Sequence, residues 1–249
     1  MKSGTKIIIW HECYVTGGSD WSIIDMLTNW PDENHKFEFF VNKNHEGKQL
    51  LKKKLNRNCK FNYYSSIIEK LNKIGKKKFN KLLIKFNFIK KLVAIFIAMA
   101  TFFEIHKILK KKNFNYILIN NGGYPGGLTS YLVITSAFIL RKKVGMVIRN
   151  YPSKNYKRNI IMFFVKFIIE KFNCEIISVS QSLKKSLVED GGLNYKNIKV
   201  IYNGISVNNR KKIDNKKKII IKKNSIGIFG RIEERKGHHV LLKSWKLIQ

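Results

Sequence analysis

The chain has 249 residues, 44% of them hydrophobic, and carries 49 Lys or Arg against 16 Asp or Glu, a formal net charge of +33. That length and apolar content suffice for one large core or two smaller ones and exclude wholesale disorder. The charge favours contact with nucleic acid, an anionic membrane surface or an anionic substrate. The accompanying richness in Asn, Ile and Phe marks many of the scattered lysines as compositional bias.

Lys6 to Trp10 reads as a short buried strand, and Thr16 to Asp20 as a polar turn. The turn opens a helix with Ile23, Ile24 and Leu27 on one face, capped by Ser19 or Asp20. Phe37 to Val41 and the alternating Cys59, Phe61 and Tyr63 read as the next two strands. Ile67, Leu71 and Ile74 then fall at helical spacing. The apolar run Leu92 to Phe103 is shorter than the roughly 20 residues of a spanning helix. It reads as a buried helix or as a helix lying on an anionic bilayer. Lys76–Lys78, Lys85, Lys90, Lys91 and Lys110–Lys112 surround it.

Asn115 to Asn120 forms a strand that runs into the glycine-rich Asn121 to Gly127, followed by a helix over 129–140 and a strand from Lys143 to Ile148. A helix over about 157–171 precedes the strand Glu175 to Val179, and a short helix presenting Leu183 and Leu187 stops at Gly191-Gly192. Strands alternating with helices predict a mostly parallel sheet covered on both faces. Its ligand crevice lies beyond the carboxyl ends of the strands, where strand order reverses. Residues 205–224 hold eight Lys or Arg and one acid, Asp214, and read as a basic linker with a short strand at Ile219–Ile221. Ser225 to Phe229 and a helix presenting Leu241, Trp245 and Ile248 read as a fresh βα start.

Cys13, Cys59 and Cys174 are odd in number and widely spaced, which excludes a disulfide framework, a CxxC pair and a thiolate metal set. With no signal peptide before Lys6, a reducing cytoplasm is expected. The adjacent glycines Gly17 and Gly18 can bring a ligand up to main-chain N–H groups at a helix N-terminus, or serve a simple turn. Asn121 to Gly127 suits either close approach by a sugar-like group or a tight structural crossing. Arg149 and Asn150 follow a strand on the same rim, where an isolated Arg suits an anion. Arg231 and Lys236 bracket a turn at a helix start, a combination suited to phosphate oxygens. His238 and His239 are adjacent on a helix with no completing ligand, so a surface role is expected and no metal site.

Four segments in this order and spacing resemble glycosyltransferase family 4: Thr16–Ser19, Ser178–Ser182, Val200–Ile205 and Gly227–Gly237. The resemblance implies a GT-B architecture of two Rossmann-like α/β domains, a retaining transfer from a nucleotide-sugar donor, and no metal or other cofactor. It divides the chain into an acceptor-side domain over 1–204, the linker over 205–224, and the truncated start of a nucleotide-sugar-binding domain over 225–249. It places the donor diphosphate at Gly17, Gly18, Arg231 and Lys236, with Arg231 and Lys236 offsetting charge on the leaving group. Asn120 and Asn121 stand where many members have a histidine. With Gly122, Gly123 and Arg149 they are expected to meet the acceptor or transferred sugar.

The family's paired glutamates and nucleotide-base pocket would lie past Gln249, so this chain by itself is expected to transfer sugar poorly. The expected partners are the nucleotide sugar and a saccharide or lipid-linked saccharide acceptor for envelope polysaccharide. Peripheral contact at the cytoplasmic face of an anionic inner membrane would accompany them. The rival readings are an inactive remnant of such an enzyme and a basic nucleic-acid-binding protein. The latter lacks any zinc finger, KH loop or RNP pair.

Overall fold

Seven short strands rich in Ile, Val, Phe and Tyr pair in parallel, the central ones buried too completely to stand without neighbours. The computed structural model describes residues 4–55, 59–66, 69–70, 87–152, 160–204, 225–230, 232, 234–245 and 247. In chain order the elements are β1 Lys6–Glu12, α1 Gly18–Thr28, β2 Lys36–Asn42, α2 Lys48–Leu55, β3 Cys59–Tyr64, α3 Asn87–Lys110 and β4 Tyr116–Asn121. There follow α4 Thr129–Ile139, β5 Lys143–Ile148, α5 Ile160–Lys171, β6 Glu175–Ser178, α6 Gln181–Glu189, β7 Ile198–Val200 and α7 His238–Trp245. The strand order is β3-β2-β1-β4-β5-β6-β7. The chain divides into two units, Met1–Ser206 and Val207–Gln249. The first is a Rossmann-like α/β domain.

Strand alternation sorts the core. Ile8, Trp10, Ile117, Ile119, Met146 and Ile148 face the layer that contains α4 and the buried side of α3. Ile7, Ile9, Phe37, Phe39, Leu118 and Val147 face α1 and α2. The register His11 opposite Asn120 and Glu12 opposite Asn121 brings the polar ends of β1 and β4 together. At the end of α6, Gly191 N–H bonds to Ser186 O, Gly192 N–H to Val188 O and Leu193 N–H to Leu187 O. Gly192 takes φ +69°, the left-handed stop that the sequence predicts.

The apolar run of 92–103 sits inside a helix of 24 residues, α3, longer than the run itself. Its stretch Lys91–Lys110 is long and apolar enough, by length and composition, to cross a membrane. Yet Ile97, Ile105 and Leu109 are buried and α3 packs on α4. Leu92, Ile95, Phe96, Met99 and Phe103 are exposed. The helix is therefore a core element along one edge and a bare apolar face along the other.

In the second unit, residues 225–229 form no strand, contrary to the sequence reading, and Phe229 is 98% exposed. Among the described residues no neighbouring strand pairs with them, and a lone strand leaves its N–H and C=O groups without partners. Ile67, Leu71, Ile74, Ile248 and the linker with Ile219–Ile221 lie outside the described residues.

Candidate functional site

β1 and β4 are the neighbours at which strand order changes direction, so their carboxyl ends border the crevice of an open parallel sheet. Those ends carry His11, Glu12, Asn120 and Asn121, all buried. Asn120 and Asn121 are legible in the sequence as the end of a strand. His11 and Glu12 escaped it, although a polar pair closing an apolar strand on the ligand edge is a usable signal.

Donor-only groups determine how these side chains are arranged. The Arg149 Nε–H donates to Asn120 Oδ1 at 2.9 Å, which turns Asn120 Nδ2 toward His11 Nδ1, 2.8 Å away. His11 Nδ1 accepts, so the ring proton sits on Nε2 and donates to Asp20 Oδ1 at 2.7 Å. The Gly47 N–H donates to His45 Nδ1 at 2.8 Å, so His45 also carries its proton on Nε2, 3.3 Å from the same Asp20 oxygen. Asp20 Oδ2 accepts the Gly17 N–H at 3.0 Å. Gly17 is thus the N-cap of α1, and Asp20 closes the cap from the first turn instead of being the cap residue itself.

His11, Asp20 and His45 bring three ligand-type atoms within 4.8 Å of one another. A bound cation would need a bare lone pair on both Nε2 atoms. The donors at both Nδ1 atoms hold the rings in the opposite tautomer. The cluster is a carboxylate clamped by N–H groups, and what it clamps is the Gly17 turn.

Burial pushes His11 below the ordinary imidazole range, with the bond to Asp20 opposing. Burial would raise the Asp20 carboxyl, but the hydrogen bond from His11 and the nearby His45 ring outweigh it and hold it well below the usual range. Both shifts have the same consequence. The unfolded chain takes up protons that the folded cluster refuses, so stability falls as pH drops below 6.5 for His11 and again below 3.8 for Asp20. Glu12 acts in the opposite sense, since burial raises its pKa and the fold tolerates its protonation. Urea midpoints are expected to fall between about pH 6.5 and 5, with a shallower fall in His11→Asn. An unchanged slope in that variant would mean that His11 is not held neutral.

The two glycine-rich turns differ physically. Gly17 has φ −169°, extended backbone open to any residue, and a Cβ at Gly17 or Gly18 would meet nothing within 4 Å. No contact inside the protein calls for glycine there. A side chain would instead occupy the space before the first turn of α1, where helix N–H groups lack intrahelical partners.

Gly126 and Gly127 are glycines for internal reasons. Gly126 has φ +69°, and a Cβ on it would lie 2.1 Å from Asn121 Oδ1, while one on Gly127 would lie 2.2 Å from Glu12 Cγ. Asn121 is enclosed by its own loop, donating to Pro125 O at 3.0 Å and accepting the Gly127 N–H at 3.3 Å. Glu12 accepts from Tyr64 at 2.6 Å, Tyr14 at 2.9 Å and Trp10 at 3.1 Å. Of the two readings open for this segment, 126–127 is the tight crossing. Gly122 and Gly123 remain half-buried, with room for a Cβ.

Arg149 lies at the same rim, half-buried. Lys236 belongs to the second unit, exposed on the 3-10 turn Glu234–Lys236. Gly230 and Gly237 beside it adopt φ +157° and +74°, angles that favour glycine. Arg231 lies outside the described residues. A groove of about 1040 Å³ bordered by Lys36, Phe37, Lys60 and Lys112 opens at the amino ends of the strands. That is the end of a parallel sheet away from its ligand crevice.

No protein-family model and no curated protein sequence matches the chain. Solved structures do resemble it. A glycosyltransferase from Rickettsia africae ESF-5 superposes with TM-score 0.53 at 17% identity, covering 83% of this chain and 44% of the other. HepE of Anabaena, crystallised with UDP, superposes with TM-score 0.51 at 15% identity, covering 82% of this chain and 45% of its own. The likeness is one of fold: a seven-stranded parallel Rossmann-like domain of the kind that forms one half of a GT-B architecture. The chain spans less than half the length of either structure.

Proposed function

We propose that residues 1–204 of this chain are the acceptor-side domain of a retaining family 4 glycosyltransferase, which moves a sugar from a nucleotide-sugar donor to an acceptor hydroxyl. The observation that carries the reading is the Gly17-Gly18 turn. It lies at the switch point, it is braced from behind by Asp20, and open space stands where side chains would be. Such a turn admits a diphosphate to the positive end of α1. By the family 4 resemblance, Arg231 and Lys236 would be the cations that offset charge on the departing nucleotide. The transferred sugar or acceptor would meet Gly122, Gly123 and Arg149, with Asn120 and Asn121 behind them.

A lipid-linked saccharide acceptor in envelope polysaccharide synthesis fits the surface. Phe96 is 66% and Phe163 68% exposed, and Phe103, Phe164 and Phe167 are exposed on the same two helices, α3 and α5. Apolar side chains on a chain of net charge +33 suit peripheral binding to an anionic leaflet, on the cytoplasmic face of the inner membrane.

The test is transfer by the full-length protein from a panel of labelled nucleotide sugars to lipid-linked acceptors in vesicles. Transfer with retained anomeric configuration is expected, faster on anionic than on neutral vesicles and slowed by salt. Failure of every nucleotide sugar to bind or react would overturn the reading.

A further inference from the structure

We propose that the Arg149 guanidinium anchors an oxyanion, a phosphate or carboxylate group, carried by the acceptor-side ligand. Arg149 is, among the described residues, a half-buried cation with no counter-charge beside it. Among the described residues no carboxylate oxygen lies within 4.0 Å of it, and its partners are three neutral oxygens. Nε donates to Asn120 Oδ1 at 2.9 Å, and Nη1 donates to Ser22 Oγ at 2.8 Å and to Asn203 Oδ1. Ser22 in turn donates to Asn203 at 3.0 Å. The nearby buried acid, Asp20, already receives His11 and Gly17 and faces His45.

These three oxygens aim the guanidinium without neutralising it. They come from α1, the end of β4 and the segment after β7, so the head group is held from three sides on the ligand edge of the sheet. Nη2 keeps two N–H groups with no acceptor among the described residues, the part of the fork that suits an oxyanion. Burial works against the guanidinium's charge. A cation kept partly out of water without a counter-ion is costly, and an arriving anion offsets that cost. A residue serving only to tie three segments together would need no charge. Ser22 lies one turn into α1 from Gly17 and Gly18, which places the anion beside the proposed diphosphate turn and distinct from it.

The word acceptor rests on the glycosyltransferase reading; the anion site does not. Its test is titration of the full chain with inorganic phosphate and, separately, acetate at constant ionic strength, followed by side-chain ¹H–¹⁵N spectra. Shifts at Arg149 Nε and Asn120 Nδ2 are expected, with affinity weakened roughly tenfold in Arg149→Gln and partly kept in Arg149→Lys. The stronger of the two anions names the group. The wild-type spectra decide the matter even if Arg149→Gln unfolds, because shifts confined to surface lysines would overturn the site. Equal phosphate binding by a folded Arg149→Gln would do the same. UDP that binds without displacing phosphate from Arg149 supports the acceptor side, and UDP that displaces it overturns that part. Phosphate bound at Arg149 while the full-length protein binds no UDP leaves the site standing and removes the nucleotide-sugar reading instead.

Discussion

Replacing Gly17 and Gly18 together by valine is expected to weaken nucleotide-sugar binding and transfer by about a hundredfold or more, the effect of displacing a substrate by about 1 Å. Folding stability should move by no more than about 1 kcal/mol, as for surface substitutions free of special contacts. The two effects separate because the new Cβ atoms meet nothing within 4 Å in the protein, so the added bulk starts into the space before α1 instead of into the core. Gly127→Ala is the control with the opposite signature. Its Cβ would fall 2.2 Å from Glu12 Cγ, so it should cost about 1–3 kcal/mol of stability through overpacking. Calorimetric titration with the cognate nucleotide sugar, beside thermal melts, reads both quantities. A double valine variant that binds donor normally would remove the turn from the site.

Replacing Asp20 by alanine is expected to cost about 2–5 kcal/mol, since each buried donor left unsatisfied costs about 1–3 kcal/mol. Against a typical total of about 5–15 kcal/mol, that leaves a marginal fold. Asp20 is fully buried, and its loss strands the His11 Nε2–H and the Gly17 N–H, and removes the acid facing His45. Asp20→Asn should fall between alanine and wild type, since one amide oxygen can still accept. Urea denaturation at neutral pH measures the difference. A loss below about 1 kcal/mol, the value of an exposed pair, would mean that the clamp is not what holds the turn. In the folded fraction of either variant the Gly17 turn loses its brace, so donor binding should fall along with stability.

Much of the sheet was legible because fully buried strands must be continuous apolar runs, and five of them are. Lys143–Ile148 has the predicted bounds, and Lys6, Phe37, Tyr116 and Glu175 begin or adjoin strands where the pattern places them. α2 and β7 were not legible. In α2 only Leu51 and Leu55 are buried within a lysine-rich stretch, and β7 is three residues long. Elements that short give a periodicity too little length to register.

By itself the sequence determined the alternation of strands and helices, and therefore a parallel sheet with its polar loops on one rim. It also placed Gly17, Gly18, Asn120 and Arg149 on that rim, since each follows a strand that its own residues specify. Only the tertiary structure decided what those residues do for one another. It showed that Gly126 and Gly127 are glycines for packing whereas Gly17 and Gly18 are not, because a Cβ clash depends on atoms from other segments. It joined His11, Asp20 and His45, and it turned Ser22, Asn120 and Asn203 onto one guanidinium. Local propensity carries no information about such meetings; they follow from strand order and register, which bring distant parts of the chain to the same edge.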